Sequence, residues 1–125
     1  MNEEIKILLV EDDTFLLNMY ADKFRSEGFE VVIAENGVEA IQMANAEVPD
    51  IILLDIMLPK KNGFEVLAEL KNNKITKAIP VILLTNLSQR DEVKKGMELG
   101  AVDFLIKAHF MPNEVVEKVK KLINS

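Results

Sequence analysis

The sequence predicts an α/β fold in which helices cover both faces of a parallel sheet. Five short apolar runs recur along the 125 residues, and most are continuously apolar, as strands buried on both faces must be. After each run, apolar residues recur with helical spacing. Strict alternation of strands and helices implies parallel strands joined by right-handed crossovers.

The five predicted strands are residues 5–10, 31–34, 51–54, 81–84 and 102–106. Five such units favour a flavodoxin-like (βα)5 three-layer sandwich, whose five-stranded parallel sheet has the order 2-1-3-4-5. The sequence contains neither an internal repeat nor a linker-like segment, so residues 1–125 are interpreted as a single domain.

Each predicted helix has an apolar stripe. The stripes are Leu16, Tyr20 and Phe24; Val38, Ile41 and Ala44; Phe64, Leu67 and Leu70; Val93 and Met97; and Val115, Val116, Val119, Leu122 and Ile123. Gly28 supplies a stop signal after the first helix, and Pro112 suits the first turn of the fifth. Ser88 and Asp91 predict a capping box at the start of the fourth helix.

Composition excludes several classes of function. The net charge of −6 argues against a nucleic-acid-binding surface, and the absence of cysteine excludes disulfides and zinc–thiolate sites. The N-terminal sequence "MNEEIKILLV" lacks the basic start of a signal peptide, and no run approaches the ~18 apolar residues of a membrane span. A cytoplasmic protein without membrane contact is therefore expected.

Acidic side chains follow the first and third predicted strands. Glu11, Asp12 and Asp13 follow the first, and Asp55 ends the third. These strands are neighbours in the proposed order, so the carboxylates should converge at one edge of the sheet. Two carboxylates about 4 Å apart repel by roughly 4 kcal/mol at an effective dielectric constant of about 20. An all-oxygen cluster of this kind favours a hard cation, Mg²⁺ first.

Thr85 and Lys107 end the fourth and fifth strands at the same edge. A hydroxyl and an ammonium facing a metal-bound carboxylate form a site for a phosphoryl group, and Asp55 itself can be the nucleophile that yields an aspartyl phosphate. Taken singly, each residue has an ordinary structural explanation: Asp55 and Thr85 as caps, Lys107 as a solvated charge, Phe104 as core and His109 as an exposed loop residue. The combination is what predicts a phosphoryl site.

Four segments carry a family resemblance: "ILLVEDD", "PDIILLDIMLPKKNGFEVL", "IPVILLT" and "GAVDFLIK". Thr85 follows Asp55 by 30 residues and Lys107 follows Thr85 by 22. In these segments and spacings, and over essentially its whole length, the chain resembles a response-regulator receiver domain of two-component signalling.

The resemblance implies a role for each site residue. Asp55 would accept a phosphoryl group from the phosphohistidine of a sensor histidine kinase or phosphotransfer protein. Mg²⁺ would be held by Asp12, by Asp55, by the backbone carbonyl of Met57 and, through water, by Glu11. Lys107 would pair with the phosphoryl oxygens.

The resemblance also implies a switch. Thr85 would bind a phosphoryl oxygen after phosphorylation, and Phe104, the switch aromatic, would turn inward as Thr85 moves. The face made by the fourth helix, fifth strand and fifth helix would then receive an unidentified downstream protein or output domain. Such a domain promotes only its own phosphorylation and dephosphorylation and is not an enzyme acting on other substrates.

The chain departs from the family pattern at several positions. Ala108 stands where a proline usually follows the lysine through a cis bond; a cis bond before a non-proline residue costs ~2.5–4 kcal/mol, so the loop carrying Lys107 is expected to be rearranged. Asn86 replaces a usually small residue and is expected to restrict access to the phosphoryl group. Met57 and Leu87, two residues past Asp55 and Thr85, cannot orient a water by hydrogen bonding, which predicts slow self-dephosphorylation.

Three alternative functions agree less well with the sequence. A phosphohydrolase of the haloacid-dehalogenase type needs a second aspartate at position 57, where this chain has Met57. A flavodoxin-like electron carrier needs a Ser/Thr/Gly-rich phosphate loop after the first strand, where "EDD" would repel phosphate. A degenerate receiver acting only as a docking module is disfavoured by retention of all five site residues.

Overall fold

Strands and helices alternate along the chain. The computed structural model describes residues 5–85, 90–106 and 112–123, apart from the side chains of Arg90 and Pro112. In chain order the elements are β1 (Lys6–Val10), α1 (Thr14–Ser26), β2 (Glu30–Ala34), α2 (Gly37–Glu47), β3 (Ile51–Asp55), α3 (Gly63–Lys71), β4 (Val81–Thr85), α4 (Arg90–Glu98), β5 (Asp103–Ile106) and α5 (Pro112–Ile123). The predicted strands are confirmed to within one residue at each end.

The strands form one parallel sheet in the order β2-β1-β3-β4-β5, as predicted. The central strand β3 pairs with β1 on one side and β4 on the other. Its residues Ile51–Leu54 are fully buried, which explains why this run is continuously apolar. Burying one such side chain stabilises the fold by about 1.5–3 kcal/mol.

Two apolar clusters lie on opposite faces of the sheet. One joins alternate strand residues to α2 and α3, through side chains such as Ala44 and Leu67. The other joins the remaining strand residues to α1 and α5, through side chains such as Phe24 and Val119. The three-layer sandwich follows from this division.

Several helix ends have recognisable signals. The carboxylate of Asp13 accepts a hydrogen bond from the N–H of Leu16 and caps α1, which ends before Gly28 with φ at +94°. The stop predicted at Gly28 is therefore confirmed, as is Pro112 in the first turn of α5. The capping box predicted at Ser88 lies outside the described residues.

Two residues of the predicted apolar stripes are exposed in the structure. Val38 is 41% exposed and Met97 is 39% exposed, although both were placed in apolar helix stripes. In α2 the buried residues are Gly37, Ala40 and Ala44, all small. In α4, Gly96 faces the sheet so closely that a Cβ there would lie 2.1 Å from Cδ1 of Leu83. Both helices approach their neighbours through small residues, so the bulkier side chains beside them point to solvent.

Candidate functional site

Three carboxylates meet where β1 and β3 end. Val10 is level with Leu54 in the paired strands, which brings Glu11 and Asp12 beside Asp55. One carboxylate oxygen from each of Glu11, Asp12 and Asp55 lies within 4.8 Å of the others. Asp12 is exposed, whereas Glu11 is fully buried and Asp55 is 4% exposed. The predicted convergence of these three side chains is confirmed.

Backbone hydrogen bonds hold two of these carboxylates. The N–H of Asp13 donates to Oε1 of Glu11 over 3.1 Å, and the N–H of Met57 donates to Oδ1 of Asp55 over 3.1 Å. Asp13 itself was predicted to join the acidic group, but its side chain caps α1 and it does not belong to the cluster. The N–H of Glu11 continues the sheet by donating to the carbonyl of Ala34 over 3.1 Å.

The β3–α3 loop, residues 56–62, follows Asp55. The N–H of Ile56 donates to the carbonyl of Leu84, and the carbonyl of Ile56 accepts from the N–H of Gly63 over 2.9 Å. The side chain of Met57 is 58% exposed. This loop carries the Met57 carbonyl that was predicted to bind the metal, and it begins within hydrogen-bonding distance of Asp55.

Thr85 ends β4 beside the acidic cluster. Asp55 is level with Leu84, so Thr85 lies one residue further toward the edge. It is 1% exposed, and its Oγ1 has no hydrogen-bond partner among the described residues. Leaving a hydroxyl buried without a partner costs about 1–3 kcal/mol, so the Oγ1–H group of Thr85 is available to donate a hydrogen bond to the oxygen of a ligand.

Phe104 lies in β5, level with Leu83 of β4. The ring is half-buried and packs against the apolar cluster of α2 and α3. That packing fits an ordinary core residue and is equally compatible with the predicted switch aromatic in one of two states.

Several predicted positions lie outside the described residues. They are Lys107, Ala108, His109, Asn86 and Leu87, together with the Lys107–Ala108 peptide bond. Their predicted roles stay predictions.

The sequence interpretation missed two features beside the site. Asn62 and Glu65 form a capping box at the start of α3; the signal was present as "NGFE", an N-cap residue followed three positions later by glutamate. A cavity of about 440 Å³ lies between α3 and α4, and Lys95 lines it with its ammonium 4.7 Å from the ring centre of Phe64. No sequence signal identifies a cavity between helices.

The donor set suits a hard divalent cation. It consists of carboxylate oxygens with no sulfur, and the mutual repulsion of the three groups is what a cation would offset.

Within residues 5–85, 90–106 and 112–123, no helix has the length and apolar character needed to cross a membrane.

Comparison with known proteins agrees with this geometry. The sequence profile of the response regulator receiver domain matches residues 7–120. The chain is 42% identical over 119 residues to the transcriptional regulatory protein CiaR of Streptococcus pneumoniae, covering 95% of this chain and 51% of CiaR. The chain spans about half the length of several curated relatives that it matches.

Two solved structures have the same fold. A response regulator from Chloroflexus aurantiacus matches with a TM-score of 0.91 and 31% identity, covering 98% of this chain and 100% of that one. The receiver domain of the sensor histidine kinase PA1611 from Pseudomonas aeruginosa, which has a magnesium ion in its active-site cleft, matches with a TM-score of 0.88 and 27% identity, covering 98% and 100%. The profile match, these relatives and the carboxylate cluster at the strand ends together establish that this chain belongs to the response regulator receiver domain family.

Proposed function

We propose that Asp55 is the phosphoacceptor of a two-component phosphorelay. The observation that carries this proposal is the buried Asp55 carboxylate beside Glu11 and Asp12, at the strand-end edge of a receiver domain. The donor is the phosphohistidine of a sensor histidine kinase or phosphotransfer protein, or a small acyl phosphate. These donors are cytoplasmic, which is where we expect the domain to act.

The transfer replaces one bond to phosphorus by another. An oxygen of the Asp55 carboxylate attacks the phosphorus, a P–O bond forms, and the P–N bond to the imidazole breaks, leaving neutral histidine after proton uptake. The hydrogen bond from the Met57 N–H to Oδ1 fixes one carboxylate oxygen, so the other is oriented for attack. The domain would promote only this transfer and the later hydrolysis of the aspartyl phosphate, in which water takes the phosphoryl group and the Asp55 carboxylate is released; it would not act on other substrates.

Mg²⁺ is the proposed cofactor. Asp12, Asp55 and the carbonyl of Met57 would hold it directly, with Glu11 acting through a water. When bound, the ion supplies positive charge against the carboxylates and the transferring phosphoryl oxygens. The three clustered carboxylates and the magnesium ion in the cleft of the PA1611 receiver support this assignment.

The phosphoryl oxygens would be bound by Lys107 and by Thr85. The unpartnered, buried Oγ1 of Thr85 supports a role for that hydroxyl, since a phosphoryl oxygen would satisfy it. As Thr85 moves toward the phosphoryl group, Phe104 would turn inward and reshape the face formed by α4, β5 and α5. A downstream protein or output domain would bind there, an instance of a local charge change biasing a two-state element.

Intact-mass spectrometry tests the proposal. With Mg²⁺ and acetyl phosphate, the wild-type protein should gain one phosphate, and Asp55→Asn should gain none. Asp50→Asn is the matched control, because Asp50 is an exposed aspartate at the opposite end of β3. Equal labelling of wild type and Asp55→Asn would refute the assignment of Asp55.

A further inference from the structure

The start of α2 lies directly on the β3–α3 loop. A Cβ built on Gly37 would lie 1.9 Å from the carbonyl oxygen of Lys61 and 2.6 Å from the Lys61 Cβ. Non-bonded carbon atoms normally stay about 3.5–4.0 Å apart, so a side chain cannot be added without moving the backbone of the loop. Gly37 has ordinary helical backbone angles, which any residue can adopt. Glycine is required here because the Lys61 backbone lies too close for a side chain.

The contact falls on a strained part of the loop. The N–H of Lys61 donates to the carbonyl of Pro59 over 2.8 Å, across Lys60 with φ at +68°. A three-residue turn with positive φ at its centre is a rare conformation that the surrounding structure must impose. The N–H of Gly37 donates to the same Pro59 carbonyl over 3.4 Å, so α2 supplies part of that support.

The start of α3 contacts the other end of the loop. A Cβ on Gly63, at the start of α3, would lie 2.6 Å from the carbonyl oxygen of Asp55. The Gly63 N–H donates a hydrogen bond to the carbonyl oxygen of Ile56. Lys61 also forms an ion pair with Glu69 of α3. The starts of two helices therefore hold the two ends of the loop, and the backbone of Met57 lies between these two points of contact.

We propose that Gly37 is a positioning residue for phosphoryl transfer: by lacking a side chain, it lets α2 press on the Lys61 backbone and so fixes the Met57 amide and carbonyl beside Asp55. This inference rests on the proposed function of Asp55. It adds α2, a helix that contributes no ligand, to the elements that determine the geometry of the site.

Gly37→Ala tests the proposal through the loop rather than through stability alone. In the metal-free protein, the amide NMR signals of Met57 and Lys61 should shift. The dissociation constant for Mg²⁺ should rise about tenfold, which corresponds to about 1.4 kcal/mol. Phosphorylation by acetyl phosphate at fixed Mg²⁺ should slow by a similar factor.

Ala44→Gly is the matched control. Ala44 is a buried residue of the same helix, and glycine there weakens α2 without adding bulk against the loop. This variant should melt at a lower temperature yet keep the wild-type Mg²⁺ affinity and the wild-type Met57 and Lys61 signals. Equal losses of affinity in both variants, or an unchanged loop in Gly37→Ala, would overturn the proposal.

Two further measurements keep the outcomes separable. If the wild-type protein binds no Mg²⁺, the proposed function fails. The Met57 and Lys61 amide signals of metal-free Gly37→Ala, compared with those of metal-free wild type, still decide the role of Gly37. If Gly37→Ala does not fold, hydrogen exchange in the wild type decides it. The Gly37 amide, which donates to the Pro59 carbonyl of the loop, should exchange more slowly than in an unstructured peptide, and exchange at the unstructured rate would overturn the proposal.

Discussion

Glu11 and Asp55, both shielded from solvent, present carboxylate oxygens within 4.8 Å of one another at the ends of neighbouring strands. Like charges held this close oppose folding unless a cation or a proton intervenes. The stability of the domain should therefore depend on Mg²⁺.

The first prediction concerns this metal dependence. Mg²⁺ at 100 times its dissociation constant should raise the free energy of unfolding by about 2.7 kcal/mol. Asp55→Asn removes one charge, so it should be more stable than wild type without metal and gain less from Mg²⁺. Denaturant melts with and without Mg²⁺ measure both effects, with Asp22→Asn, an exposed substitution on α1, as the control. An unchanged free energy of unfolding of the wild-type protein at saturating Mg²⁺ would contradict the prediction.

The second prediction concerns Thr85. Thr85→Val keeps the shape of the side chain and removes a buried hydroxyl that has no partner among the described residues. The free energy of unfolding of the unphosphorylated protein should rise by about 1 kcal/mol. The variant should also lose the amide shift changes that the phosphoryl mimic beryllofluoride produces on the face formed by α4, β5 and α5.

Thr85→Ser is the control for that substitution, because it retains the hydroxyl and loses only a methyl group. It should keep the beryllofluoride response of that face. Two results would refute the switch proposed for Thr85 and Phe104. One is a full set of beryllofluoride-induced amide shift changes in Thr85→Val, and the other is the absence of such changes on that face in the wild type.

The third prediction concerns the lifetime of the phosphorylated form. Hydrolysis needs a water in line with phosphorus, and the thioether of Met57 cannot orient one. Met57→Asn should therefore speed phosphate release by about tenfold, equivalent to ~1.4 kcal/mol of barrier. Ile75→Asn is the control, since Ile75 is 57% exposed and Met57 58% exposed. If the wild type already releases phosphate within seconds and Met57→Asn is no faster, the prediction fails.

The fourth prediction concerns pH. Lys120 of α5 donates a 2.8 Å hydrogen bond to Glu27 at the end of α1, and this bond, with help from Lys23, lowers the pKa of Glu27 below its ordinary value. A carboxylate with a lowered pKa in the folded state stabilises the protein above its unfolded-state pKa. That stabilisation is lost as pH falls through the folded-state pKa.

In Lys120→Gln, the pKa of Glu27 should move up toward its ordinary value without reaching it, because Lys23 remains. Any stability difference between wild type and variant should disappear at acidic pH. NMR titration of the Glu27 carboxyl carbon measures the shift, and Lys121→Gln, an exposed neighbour on α5, is the control. An unchanged Glu27 titration in Lys120→Gln would show that the pair does not persist in solution.

The sheet was predictable because its strands are continuous apolar runs. Ile51–Leu54 needs burial on both faces, which only a central strand provides. The order of strands and the meeting of Glu11, Asp12 and Asp55 followed from alternation and from the rule that ligands lie beyond the carboxyl ends of strands.

Packing of the helices was less predictable. Val38 and Met97 look like core residues by spacing, yet α2 and α4 approach their neighbours through Gly37 and Gly96. Apolar periodicity records which side chains are hydrophobic, but it does not record how closely two backbones approach. The role of Asp13 as a helix cap was missed for a similar reason. The sequence shows three consecutive acidic residues, and only the local backbone conformation determines that the Asp13 side chain turns toward α1 and not toward the cluster.

The position of β3 in the sheet has a mechanical consequence. Asp55 is anchored in a strand that is hydrogen-bonded on both sides and wholly buried, so it would act as a fixed support for the proposed phosphoryl group. Both β2 and β5 are edge strands of the sheet that the described residues form, but β5 is the shorter, at four residues, and it adjoins β4, which carries Thr85. Added charge at Asp55 should therefore strain the sheet asymmetrically, and the displacement should grow from β4 toward β5 while β1 and β2 stay still.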